Sequence, residues 1–103
     1  MKAWELLAKP NGWTQGVARR NALGGEVHSY DDTACQFCLV GALDKVYGNY
    51  GWTVDGPRVD VANKVSKALS KLTGLKIPSP ASWNDAPGRT QDEVVSFLKE
   101  LDL

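Results

Sequence analysis

The residues best equipped for chemistry are two thiols three positions apart, in Cys35-Gln36-Phe37-Cys38. A C-x-x-C unit is the core of a redox pair or one half of a zinc site. A thioredoxin-like redox unit expects a strand–helix setting, which the surrounding pattern lacks. Tetrahedral zinc takes four ligands, and His28 is the chain's sole histidine, so Asp31 or a second chain would have to complete the set. No metal and no cofactor are expected. A second grouping takes Cys38 as nucleophile, His28 as base, and Asn84 or Asp85 as the group that orients the base. Those are the parts of a cysteine-dependent hydrolase or transferase. The plainer reading of Cys38, set between Phe37 and Leu39, is a small buried hydrophobe. Solvent exposure of its sulfur separates the two readings.

A third candidate is Trp83-Asn84-Asp85-Ala86-Pro87-Gly88-Arg89-Thr90. Polar residues concentrated just before a helix N-terminus suit an anion or a small polar ligand. The Arg89 fork matches a carboxylate or phosphate. Each residue also suits a local structural role. Asn84 and Asp85 fit an Asx turn, Pro87-Gly88 a turn and Thr90 a helix cap, with Arg89 free to pair with Asp85 or Asp92. The tryptophans Trp4, Trp13, Trp52 and Trp83 read as core anchors. Trp13 and Trp52, each following a glycine, also suit the wall of a pocket.

The elements that must position these groups are mostly helical. Residues 2–9 place Ala3, Trp4, Leu7 and Ala8 on one side of a short helix, stopped by Pro10-Asn11-Gly12. Gly24-Gly25 marks the turn of a small β-hairpin near residues 16–28. Asp31-Asp32-Thr33 offers capping oxygens and negative charge, and predicts a helix from 32 to about 47 that ends at Gly48 and Gly51. Pro57 suits the first turn of the next helix. There Val61, Val65, Ala68, Leu69 and Leu72 form an apolar stripe and Lys64, Lys67 and Lys71 a basic one, with Gly74 as the stop. Residues 75–89 read as an irregular, proline-rich segment strapped to the core by Trp83. Thr90-Gln91-Asp92-Glu93 is a capping box that opens a last helix, with Val94, Val95, Phe97, Leu98 and Leu101 on its buried face. The expected architecture is mainly α: one domain over residues 1–103, a compact bundle of about four helices plus the small hairpin.

The 103 residues carry 12 basic and 12 acidic side chains, for a formal charge of zero. That balance argues against a general nucleic-acid binder, whose affinity comes from neutralising phosphates. Charge is uneven along the chain. Residues 57–80 hold five basic and one acidic side chain, residues 81–103 five acidic and two basic. The basic stripe is most simply a solvated helix face. No apolar run approaches the length of a membrane span, and the N-terminus lacks the pattern of an export signal, so a cytoplasmic protein without a membrane partner is expected.

Three segments carry a resemblance: Gly12-Trp13-Thr14-Gln15-Gly16, Phe37-Cys38-Leu39-Val40-Gly41-Ala42-Leu43 and Trp83-Asn84-Asp85-Ala86-Pro87-Gly88-Arg89-Thr90. Together they resemble a family of small bacterial and phage proteins catalogued as a domain of unknown function, over roughly residues 4 to 101. The resemblance implies one domain and a cysteine at the Cys38 position. Cys35 is particular to this sequence, which weakens chemistry that needs both thiols. Two functions stay open. The first is a binding or interaction module, such as a phage or bacterial accessory factor, whose partner is another protein or a small polar ligand. Its candidate residues are Trp13, Gln15, Trp83, Asn84, Asp85 and Arg89. The second is a thiol-dependent enzyme using Cys38, His28 and Asn84 or Asp85.

Overall fold

The computed structural model describes residues 1–28, 31–48 and 57–103, with side chains from residue 60 onward in the last stretch, and these residues form five helices and a short strand pair. The helices are α1 (Ala3–Ala8), α2 (Leu39–Tyr47), α3 (Pro57–Thr73), α4 (Pro80–Asp85) and α5 (Gln91–Glu100). Strands β1 (Arg19–Arg20) and β2 (Gln36–Phe37) pair antiparallel, with Arg19 opposite Phe37 and Arg20 opposite Gln36. The class is mainly α with a small β element. Gly51 and Trp52 lie outside the described residues.

Helix α1 buries Ala3, Leu6 and Leu7 against α2 and α5. Trp4 packs partly buried at the edge of the core, and Ala8 faces solvent. From α2 come Leu39, Ala42 and Leu43, from α3 Val61, Val65 and Leu69, and from α5 Val94 and Leu98. These residues recur at three and four positions, the spacing that puts side chains on one helix face. Ala68 is half-buried and Leu72 exposed, so the α3 stripe turns out of the core toward its C-terminal end.

Three elements differ from the sequence expectation, each for a local reason. Helix α2 begins at Leu39 rather than residue 32. Asp31 accepts from the Thr33 backbone N–H at 2.8 Å, and this closes a turn instead of capping a helix. The chain then runs extended through β2. There the Phe37 N–H donates to Gly12 O and the Thr14 N–H donates to Phe37 O, both at 2.9 Å. The β pairing is also not purely local. Arg20 does face Glu26 across the turn at Gly24-Gly25, but the ladder joins β1 to residues 36–37. Within the proline-rich segment, Ser79-Pro80 starts the short helix α4. Ser79 Oγ accepts from the Ser82 N–H at 3.2 Å and Pro80 sits where no N–H is needed.

Among the glycines described, the tightest approach is at Gly41, on the first turn of α2. A Cβ there would lie 1.9 Å from Ala18 O. Only glycine lets the segment before β1 run against α2 at that distance.

Candidate functional site

The three segments that carry the resemblance meet around one side chain. Asn84, on the last turn of α4, is fully buried and is the buried polar residue of the described core. Its Oδ1 accepts from Trp13 Nε1 at 2.7 Å and from the Leu39 N–H at 3.0 Å. Its Nδ2 donates to Thr14 O at 3.1 Å and to Asp85 Oδ1 at 2.9 Å. All four hydrogen-bonding positions of the carboxamide are filled. The contacts around it tighten the same joint. Gln15 Nε2 donates to Asn84 O at 2.9 Å and to Ala86 O at 3.2 Å, and the Gly16 N–H donates to Asp85 Oδ1 at 3.0 Å.

Leu39 is the first residue of α2, so Asn84 satisfies a backbone donor that has no partner within the helix. Cys38, the N-cap, satisfies another: its Sγ accepts from the Gly41 N–H at 3.3 Å. The Cys38 sulfur is therefore committed to helix capping and lies in the core, 5% exposed. Burial pushes its thiol above the ordinary value of 9.0. The Gly41 and Val40 N–H groups pull it down, Asp85 pushes it further up and Arg19 opposes that. Cys35 precedes the helix and is exposed.

Of the proposed catalytic set, Cys38 and Asp85 share this neighbourhood. His28 is exposed and stands with Asp31, whose N–H donates to His28 O at 3.0 Å. The Asp31 carboxyl is held below its usual range, first by hydrogen bonds from Thr33 and in lesser part by the His28 charge. Among the described residues no three of His, Cys, Asp and Glu are grouped so as to hold a metal ion.

Arg89 pairs with neither Asp85 nor Asp92. Its Nε donates to Trp83 O and its Nη1 to Glu93 Oε2, both at 2.9 Å, and its guanidinium lies 4.1 Å above the Trp83 ring. Glu93 in turn closes the capping box with Thr90. Its carboxyl is held below the ordinary range, chiefly by Arg89.

Two arginines outside the candidate set brace the joint from the other side. Successive strand residues point to opposite faces, and Arg19-Arg20 obey this. Arg19 forms an ion pair with Asp44 of α2 at 3.1 Å. Arg20 donates to Thr14 Oγ1 at 2.8 Å, to Gln15 O at 3.2 Å and to Gly24 O at 3.0 Å. The paired arginines in a short extended segment are the signal that marks them.

Trp83 looks away from this joint. Its ring packs on Phe97 of α5, centroids 5.0 Å apart at a tilt of 43°. Trp83 and Phe97 belong to an open groove between the C-terminal half of α3 and α5, where Leu72, Leu101, Lys71 and Glu100 also contribute. Neither α3 nor α5 residues of this groove were candidates from sequence. A groove built by helices far apart in the chain leaves no local pattern.

The fold and this site define a small, mainly helical protein whose loops are clasped by a buried asparagine. The chain belongs to a family of unknown function (DUF6197), whose model matches residues 1–101. No curated protein and no solved structure matches it.

Proposed function

We propose that this protein is a non-enzymatic interaction module that binds another protein in the groove beside the 83–90 segment, in the manner of an accessory factor. The observation that carries this reading is the division of labour across α4. Asn84 is buried, and it and the exposed Asp85 spend hydrogen bonds on the fold, while Trp83 contributes its ring to an open groove with Phe97 and Leu72. Aromatic rings in a surface depression with a charged rim are what protein partners use as anchors. Leu72 is 62% exposed, and Leu75 and Ile77, which follow the end of α3 in the chain, are exposed as well. Exposed apolar residues that gather in one place mark interaction sites more often than those that are scattered. A small polar ligand has less to grip, because Gln15, Asn84, Asp85 and Arg89 already serve partners within the chain.

The thiol-dependent reading draws less support. A nucleophilic cysteine needs a stabilised thiolate and access to substrate. Cys38 has a raised pKa and a buried sulfur. The same proposal places the protein in the cytoplasm, a reducing compartment that suits its two free thiols. None of the described helices is long and apolar enough to cross a membrane.

Site-specific photo-crosslinking in the native cells tests the reading. A benzophenone side chain at Ser96, an exposed groove position, should give discrete protein adducts. The same group at Leu23, exposed and outside the groove, should not. Equal yields from both positions, or adducts from neither, would overturn it.

A further inference from the structure

The two walls of the groove carry opposite charge. Lys71 lies on the α3 wall, with Lys67 one turn before it. Glu100 and Asp92 lie on the α5 wall. All four are exposed, and among the described residues none of them forms an ion pair. Glu93, by contrast, is paired with Arg89. Between the walls run the apolar groups Leu72, Trp83, Phe97 and Leu101. At the end of α3, Leu75 and Ile77 stand out into solvent, Ile77 at 92% exposure.

An occupant matched to this surface has an apolar ridge with acidic groups on one flank and basic groups on the other. The surface itself has that composition. Across a two-fold axis, residue i of one copy meets residue j of the other, and j meets i. The basic α3 wall of one copy then faces the acidic α5 wall of its partner twice over. The Leu75–Ile77 projection of each copy supplies the ridge for the other's groove. The formal charge of zero removes the net repulsion that keeps strongly charged proteins apart.

Resting on the reading of the groove as a protein-binding site, we propose that its occupant is a second copy of this chain. The two copies form an isologous dimer through α3 and α5, with Lys71 of each copy opposite Glu100 of the other.

Sedimentation velocity on the purified chain over a range of concentration and salt tests this. The native chain should dimerise, and more weakly as salt rises. Lys71→Glu and Glu100→Lys should each weaken self-association about tenfold, since each turns two attractive contacts into repulsive ones. An equimolar mixture of the two variants should restore the native affinity, because both cross-interface pairs are again opposite in sign. The double variant should do the same alone. Leu72→Asp should leave only monomer. Both charge reversals sit on exposed positions, so circular dichroism should show the native helix content.

A native chain that stays monomeric at millimolar concentration overturns the proposal, as does a mixture no tighter than its components. The Ser96 crosslinker separates this failure from that of the broader reading. An adduct of two copies supports the dimer. An adduct with a different protein, from a chain that is monomeric, removes the dimer and leaves the groove a protein-binding site. With no adduct, both fall.

Discussion

Trp13 Nε1 donates to Asn84 Oδ1 at 2.7 Å, across 71 positions of sequence. The same oxygen takes the Leu39 N–H, so one carboxamide holds the 12–16 loop, α4 and the start of α2 together. Asn84→Ala leaves two inward-facing donors without a partner and should cost about 3 kcal/mol, within the range for orphaned buried groups. Urea unfolding of the variant measures this. A loss below about 1 kcal/mol, the net worth of a single ordinary hydrogen bond, would mean that water replaces the carboxamide there.

Two glycines should respond to alanine in different degrees. At Gly41 the new Cβ would overlap Ala18 O, with backbone on both sides of the contact. Gly41→Ala should cost about 3 kcal/mol or more, or abolish cooperative unfolding. Gly88 has a φ of +84° and open space around it, so Gly88→Ala bears only the left-handed backbone penalty of about 1 kcal/mol. Thermal melts of both variants should place Gly41→Ala well below Gly88→Ala.

The thiols should differ in reactivity. Cys35 is exposed and should alkylate in the native state, whereas Cys38 should stay protected until the chain unfolds. Burial raises the folded pKa of Cys38 above its ordinary 9.0, so folding favours the protonated thiol. That contribution is complete below pH 9, and it is lost as pH rises from there through the folded value. Cys38→Ser keeps a capping oxygen for the Gly41 N–H and should remove this alkaline slope. A native Cys38 that alkylates as fast as Cys35 would restore the thiol-dependent reading.

The Arg89–Glu93 pair should show itself at acid pH. Arg89 holds the Glu93 carboxyl below its ordinary 4.5, so the pair's contribution is present above that value and fades as pH falls through the folded one. In an NMR titration, Arg89→Ala should move the Glu93 midpoint upward. An unmoved midpoint would assign the shift to Thr90 alone.

Local chemistry made much of the fold legible. The capping box at Thr90, the stop at Gly74 and the proline start at residue 57 stand where the sequence places them, because each depends on neighbours within one turn. The apolar stripes of α3 and α5 follow helical spacing for the same reason. The start of α2 was not legible. Asp31-Asp32-Thr33 is equally good as a cap and as a turn, and pairing of residues 36–37 with β1 and the 12–14 segment decides for the turn.

The sequence by itself determined a mainly helical chain with balanced charge, and it marked Trp83-Asn84-Asp85 as unusual. Only the tertiary structure decided what those residues do. Trp13, Leu39 and Asn84 are remote in the chain, and a hydrogen bond depends on position and angle in space, which composition and periodicity do not encode. The burial of Cys38 and the groove between α3 and α5 were decided at the same level. Each is made by the packing of separate elements, none of which carries the feature alone.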